Sequence, residues 1–255
     1  MHCGKTGQKE GQYTTMKKVG NWVAPEKAPT MAHVHIGHAM TNWKQTPKKM
    51  GLFVVAEKEA NIALIHANLA AQKPIDLDRV KLYIGNVMHA IEPSTQKRGP
   101  GMGFGQKRAL TEAVSHITFA AESKDASENV KRFVEPFAQN AVSTLERCEV
   151  ILALGEDIQK AESAQEAMAL AEEIVILAHA NIEGVDAGGN GGGITDPNDI
   201  GLKQLRTQIE EMIDREEPPY QPASRRYLLG VVRLPSGEWT YWWLTNRRQG
   251  GSGGY

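Results

Sequence analysis

From Thr30 onward, apolar residues recur at three- and four-residue spacing, the period of helices with one buried face. Thr30, after Pro29, reads as the N-cap of a first helix reaching about Trp43, and the stretch through Thr46-Pro47 and Gly51 ends it. A second helix, about Val55 to Gln72, places Ile62, Ile65, His66 and Leu69 on one face. Asp76 caps a third, to about Ala90, with a stripe of Leu77, Val80, Ile84, Val87 and Ile91; Pro93 stops it. A fourth helix over Gln106 to Ala121 follows the glycine-rich segment ending at Gly105. The fifth, Glu128 to Leu154, carries Val130, Val134, Phe137, Ala141, Leu145, Cys148 and Leu152, and Pro136 predicts a kink near its start. Ser163 and Glu166 form a capping box for a sixth helix ending near Ile182. A seventh, about Pro197 to Arg215, buries Leu202, Leu205, Ile209 and Met212. The pattern predicts a mainly α fold, an antiparallel bundle of four to seven helices over residues 30–217.

Outside that span the period is lost. Residues 1–29 read as an extended N-terminal arm. Residues 218–249 read as a β-hairpin extension, with strands over Tyr227 to Leu234 and Trp239 to Leu244 around a Pro235-Ser-Gly turn. Residues 250–255 form a flexible tail. Trp239, Tyr241, Trp242 and Trp243 put aromatics on both faces of one strand. Such a strand predicts an interface, with a protein partner or with a second copy of the chain.

Composition narrows the function. The 255 residues are 41% hydrophobic with a formal charge of −1, so no electrostatic case exists for nucleic acid as partner. No apolar run approaches a membrane span, so the chain is not read as an integral membrane protein. The first twenty residues show no signal peptide. The two cysteines, Cys3 and Cys148, form no C-x-x-C-H, which excludes covalent haem attachment.

Candidate chemistry centres on the histidines. His35, His66 and His116 each have alanine three residues before and four after: Ala32 and Ala39, Ala63 and Ala70, Ala113 and Ala120. On a helix those offsets share a face, leaving room beside a ring that can ligate. The three are predicted to converge on haem b or copper, in electron transfer or metal handling, with His38 and His89 as alternates. Met31, Met40 and Met88 could add a thioether ligand. His33 is expected to be exposed. No paired Glu-x-x-His motif supports di-iron. The loop Asp186 to Asp196 has Asn190 at the fifth position of a calcium-type loop but no closing carboxylate, so calcium is not expected there. Neither Gly4-Lys5-Thr6 nor Gly99 to Gly105 has the strand context of a phosphate-binding loop. No acid–base or nucleophile set stands out, so the reading leans away from an enzyme. The alternative is an accessory subunit docked into a larger complex by its arm and hairpin.

His35-Ile-Gly-His38, Gly85-Asn-Val-Met-His89-Ala-Ile-Glu-Pro93 and Gly99-Pro-Gly-Met-Gly-Phe-Gly105 resemble a family of exported bacterial helical proteins without an established function. The likeness spans about Met31 to Glu210 and implies a periplasmic or otherwise exported location. Members of that family carry a fuller calcium-type loop at the Asp186 position and histidines at the positions of Tyr83 and Asn86, where this chain departs. The histidine-lined bundle is also similar in architecture to soluble b-type cytochromes.

Overall fold

A computed structural model describes residues 30–185, 197–217 and 219–220, with the backbone of four strand fragments, Lys18–Val19, Trp22–Val23, Val231–Arg233 and Trp239–Tyr241. Apart from those fragments, the expected arm, the hairpin and tail beyond Tyr220, and the loop with Asp186, Asn190 and Asp196 lie outside the described residues. Within the described residues the protein is a bundle of seven helices: α1 (Met31–Met40), α2 (Leu52–Ala70), α3 (Leu77–Ile91), α4 (Gln106–Glu122), α5 (Glu128–Lys160), α6 (Ala164–Glu183) and α7 (Leu202–Asp214).

The N-terminus of α1 is closed by side chains. Thr30 Oγ1 accepts the His33 N–H at 3.1 Å. Asp125, between α4 and α5, accepts those of Met31 and Ala32 at 2.7 and 3.1 Å. These are the donors that a helix start leaves unpaired. The helix stops at Met40, three residues before the expected Trp43, because the start of α2 crosses its end. A Cβ on Gly51 would come within 2.4 Å of the Met40 carbonyl carbon. The intervening turn is closed by the Trp43 N–H on the Met50 carbonyl at 3.0 Å.

Two apolar cores lie along the bundle. One gathers α1, α4, α7 and the first halves of α2 and α5 around Ile36, Phe53, Leu110 and Phe137. The other gathers α3, α6 and the second halves of α2 and α5 around Ile84, Ile151, Ile158 and Ile174. Helix α5 runs past the expected end at Leu154 to Lys160. Gly155 there lets it approach Met88 closely, since a Cβ would come within 2.8 Å of that side chain, and Ile158 extends the buried stripe. Helix α7 begins at Leu202 instead of Pro197, whose residues form a short 3-10 turn.

The buried face of α2 differs from the expected one. Ala56, Ala60, Ala63, Ala67 and Ala70 are buried, whereas Ile65 is 58% exposed and His66 is half-buried. Helix α2 packs against α1, α3, α4 and α6, and only methyl-sized side chains let so many helices approach one axis.

One carboxylate interrupts that ridge. Glu59 is fully buried, and its Oε1 accepts the N–H groups of Met102, Phe104 and Gly105 at 3.0, 3.3 and 3.3 Å. The segment Gly99 to Gly105 is therefore wrapped around Glu59, and Gly101 and Gly105 take left-handed φ values of 107° and 87° to do so. Burial pushes the Glu59 carboxyl above its usual range, partly offset by the three backbone donors and by nearby His89. Replacing Glu59 with Ala strands three backbone donors and leaves a cavity. The expected loss is about 3 kcal/mol or more, read as a lower midpoint in urea unfolding. Glu59→Gln, which keeps one acceptor oxygen, is expected to lose less.

Candidate metal centre

Helix α1 packs directly on α4, and the contact is lined by buried alanines, Ala32 and Ala39 on one side and Ala113 and Ala120 on the other. His35 and His116 follow these alanines by three residues and precede them by four, so each stands at the margin of its helix's alanine stripe. Because α1 and α4 share that interface, the two rings meet. Their Nδ1 atoms are 3.1 Å apart, one ring donating and the other accepting. His38, nearly one turn beyond His35, brings its ring to 4.9 Å from that of His116 and 5.7 Å from that of His35. One ligand atom from each of the three lies within 4.8 Å of the other two.

Aromatic rings wall the cluster. By leaving α1 at the Gly51 crossing, the chain carries Trp43 back over it, 4.5 Å from the His38 ring and 4.6 Å from His116. Phe119, on α4, lies 5.6 Å from His35 and 5.7 Å from His116 and remains 47% exposed.

The surroundings keep these imidazoles neutral. Burial, followed by the charges of His116, His35 and Lys44, pushes His38 down to about 4. Burial and the charge of His35 push His116 down to about 4. Burial also lowers His35, with Asp125 opposing. Three neutral rings present lone pairs at close range. The buried Nδ1 of His38 has no hydrogen-bond partner among the described residues.

The other candidates are placed elsewhere. His66 does not join His35 and His116, contrary to expectation. It stands at the margin between α2 and α3, its ring 5.8 Å from that of Tyr83, with Asn86 Nδ2 donating to its Nδ1 at 3.4 Å. The cause is helix adjacency, since α2 shares that edge with α3. His89 is held beneath the glycine segment, with its Nδ1 3.3 Å from the Gln96 carbonyl and its ring against Gly99. His33, expected to be exposed, is 3% exposed, because its Nε2 donates to buried Glu216 at 2.9 Å. Met40 lies in the core, Met88 packs on Gly155 and Met31 is exposed. Trp43, Phe119 and Glu216 were not singled out by the sequence pattern. Trp43 was expected to end the first helix, but it lies in the turn three residues beyond Met40.

A pH dependence follows for the metal-free protein. The folded values near 4 for His38 and His116 lie below their ordinary 6.5, so the unfolded chain takes up protons first. Stability should hold above pH 6.5 and fall as pH drops toward 4. Urea unfolding from pH 7 to 5 should show this decline, and the double variant His38→Phe, His116→Phe should flatten it; an equal decline in both would count against it. No protein-family model, curated protein or solved structure matches the chain, so the reading of this centre stands on its own residues.

Proposed function

We propose that the protein binds one transition-metal ion through His35, His38 and His116, in metal handling or electron transfer. The observation that carries this reading is the convergence of three imidazoles, each with one ring nitrogen within 4.8 Å of the others. A lone histidine in a core is satisfied by one carbonyl or hydroxyl. Three facing rings with suppressed proton affinity are a ligand set.

Distances favour a single ion over haem. With metal–nitrogen bonds of about 2.0–2.1 Å, two ligands in tetrahedral directions lie about 3.3 Å apart and two on opposite sides about 4 Å apart. The His35–His116 separation of 3.1 Å fits the first arrangement and is too short to sandwich a porphyrin. An imidazole-only set with no thiolate or carboxylate suits copper(II) and zinc, and copper binds the more tightly of the two by the usual affinity order. Three protein ligands leave a fourth position for water or an exchanging ligand.

Isothermal titration of the metal-free full chain should give one Cu²⁺ or Zn²⁺ per chain. Co²⁺ should produce the intense visible absorption of a four-coordinate site. His38→Ala and His116→Ala should each weaken binding by more than the roughly 10–100-fold typical for loss of an outer, ligand-orienting group, and His66→Ala should leave it unchanged. Equal losses in all three variants, or the absence of stoichiometric binding, would overturn the proposal.

A further inference from the structure

Helix α1 carries a second set of features on the side opposite the metal centre. At about 100° per residue, His33 lies roughly 200° from His35 and 140° from His38, so it points almost directly away from the pair. The stripe it begins, His33, Gly37 and Thr41, recurs every fourth residue and is covered by the short segment after α7. Glu216 Oε2 accepts the His33 Nε2–H at 2.9 Å, and both side chains are buried, 4% and 2% exposed. The Tyr220 ring meets His33 edge-on with centroids 5.3 Å apart, and its hydroxyl lies 3.4 Å from Thr41 Oγ1. A Cβ on Gly37 would stand only 3.5 Å from that hydroxyl.

Glu216 is itself fixed. Its Oε1 accepts from Ser127 Oγ and from Asn129 Nδ2, each at 2.6 Å. Ser127 caps α5, so the carboxylate is tied to the start of the longest helix. Burial would raise the Glu216 carboxyl, but the bonds from His33, Ser127 and Asn129 outweigh it and hold the group below its usual value.

We infer that the buried His33–Glu216 bond is the positioning element of the metal centre, fixing the rotation of α1 so that His35 and His38 face His116. This rests on the metal-binding reading. Helix α1 has only ten residues, and its apolar face of Ala32, Ile36, Ala39 and Met40 includes two small side chains that resist rotation weakly. A turn of one residue position, about 100°, carries both ligands out of the cluster. Ile36 and Met40 and the Asp125 bonds to the first turn hold the helix on one side, and a directional bond on the opposite face adds the resistance that keeps both ligands in register.

The test separates positioning from general stability. His33→Ala and the bulkier His33→Phe remove the donor, whereas His33→Gln keeps an N–H near the Nε2 position. Zn²⁺ affinity should fall about tenfold in the first two, the scale seen when ligand-orienting groups are lost, and stay near wild type in His33→Gln. In the metal-free protein, imidazole ¹⁵N resonances should show the His35–His116 hydrogen bond lost in the first two and kept in the third. Glu57→Gln weakens an ion pair to Arg206 between α2 and α7 and should change neither readout. Retention of both the Zn²⁺ affinity and the His35–His116 bond in His33→Ala and His33→Phe would overturn the inference. A wild-type chain that bound no Zn²⁺ would sink only the metal reading, because the metal-free resonances still test the positioning.

Discussion

The close approach of helices across alanine is the constraint on which the rest of this bundle depends. Helix α2 touches four other helices, and from Ala56 onward every buried residue on it except Glu59 is an alanine. Small side chains contribute little transfer free energy each, about 0.8 kcal/mol per buried methylene-sized group. They bring backbones near enough for the larger residues of neighbouring helices to fill the space. Ile84, Leu110 and Ile151 supply that bulk. The same spacing between α1 and α4 decides what happens at the margin of their interface. Two axes drawn together by Ala32, Ala39, Ala113 and Ala120 force the next side chains outward, His35 and His116, into contact.

Tight helix packing also dictates how polar groups are buried. A charge placed in such a core has to meet donors supplied by other segments. Glu59 organises the connection between α3 and α4 through three backbone N–H groups. Glu216 joins the starts of α1 and α5 to the segment following α7. Each carboxylate thus closes a part of the chain that apolar packing alone leaves loosely specified. The glycines around Glu59 serve this purpose: a side chain on Gly101 would collide with the carboxylate, 2.4 Å from Oε2.

Much of this was legible in the sequence, and the failures share a cause. Helix caps at Thr30, Asp76 and Ser163 mark real helix starts, because a side-chain cap is a local device that needs no knowledge of neighbours. The stripe of α3 was equally plain, since large residues occupy a single face. On α2 the pattern misled: Ile62, Ile65 and Leu69 outweigh alanine in any hydrophobic tally, yet the crowded face is the alanine one. Of the three alanine-flanked histidines, His35 and His116 meet between α1 and α4. Local spacing cannot tell which helices share an interface, so His66 was grouped with His35 and His116 although it faces α3. His33 looked like a surface residue because its partner lies 183 positions away.

The three rings of the metal centre place opposing demands on the fold. Desolvation and mutual repulsion make protonation unfavourable for His38 and His116, so the cluster is poor at proton chemistry near neutral pH. Neutral rings still carry lone pairs, and a buried acceptor without a donor costs roughly 1–3 kcal/mol. His35 and His116 relieve this by sharing one hydrogen, but His38 Nδ1 has no such partner among the described residues. A cation, as proposed for this site, would resolve the conflict in a way that a proton cannot. It accepts three lone pairs at once, whereas a proton bridges two. The features that depress the proton affinities, low exposure and crowded nitrogens, are the ones that preorganise a ligand set. The proposed metal binding and the resistance to protonation therefore rest on one arrangement of side chains, held by the packing of α1 on α4.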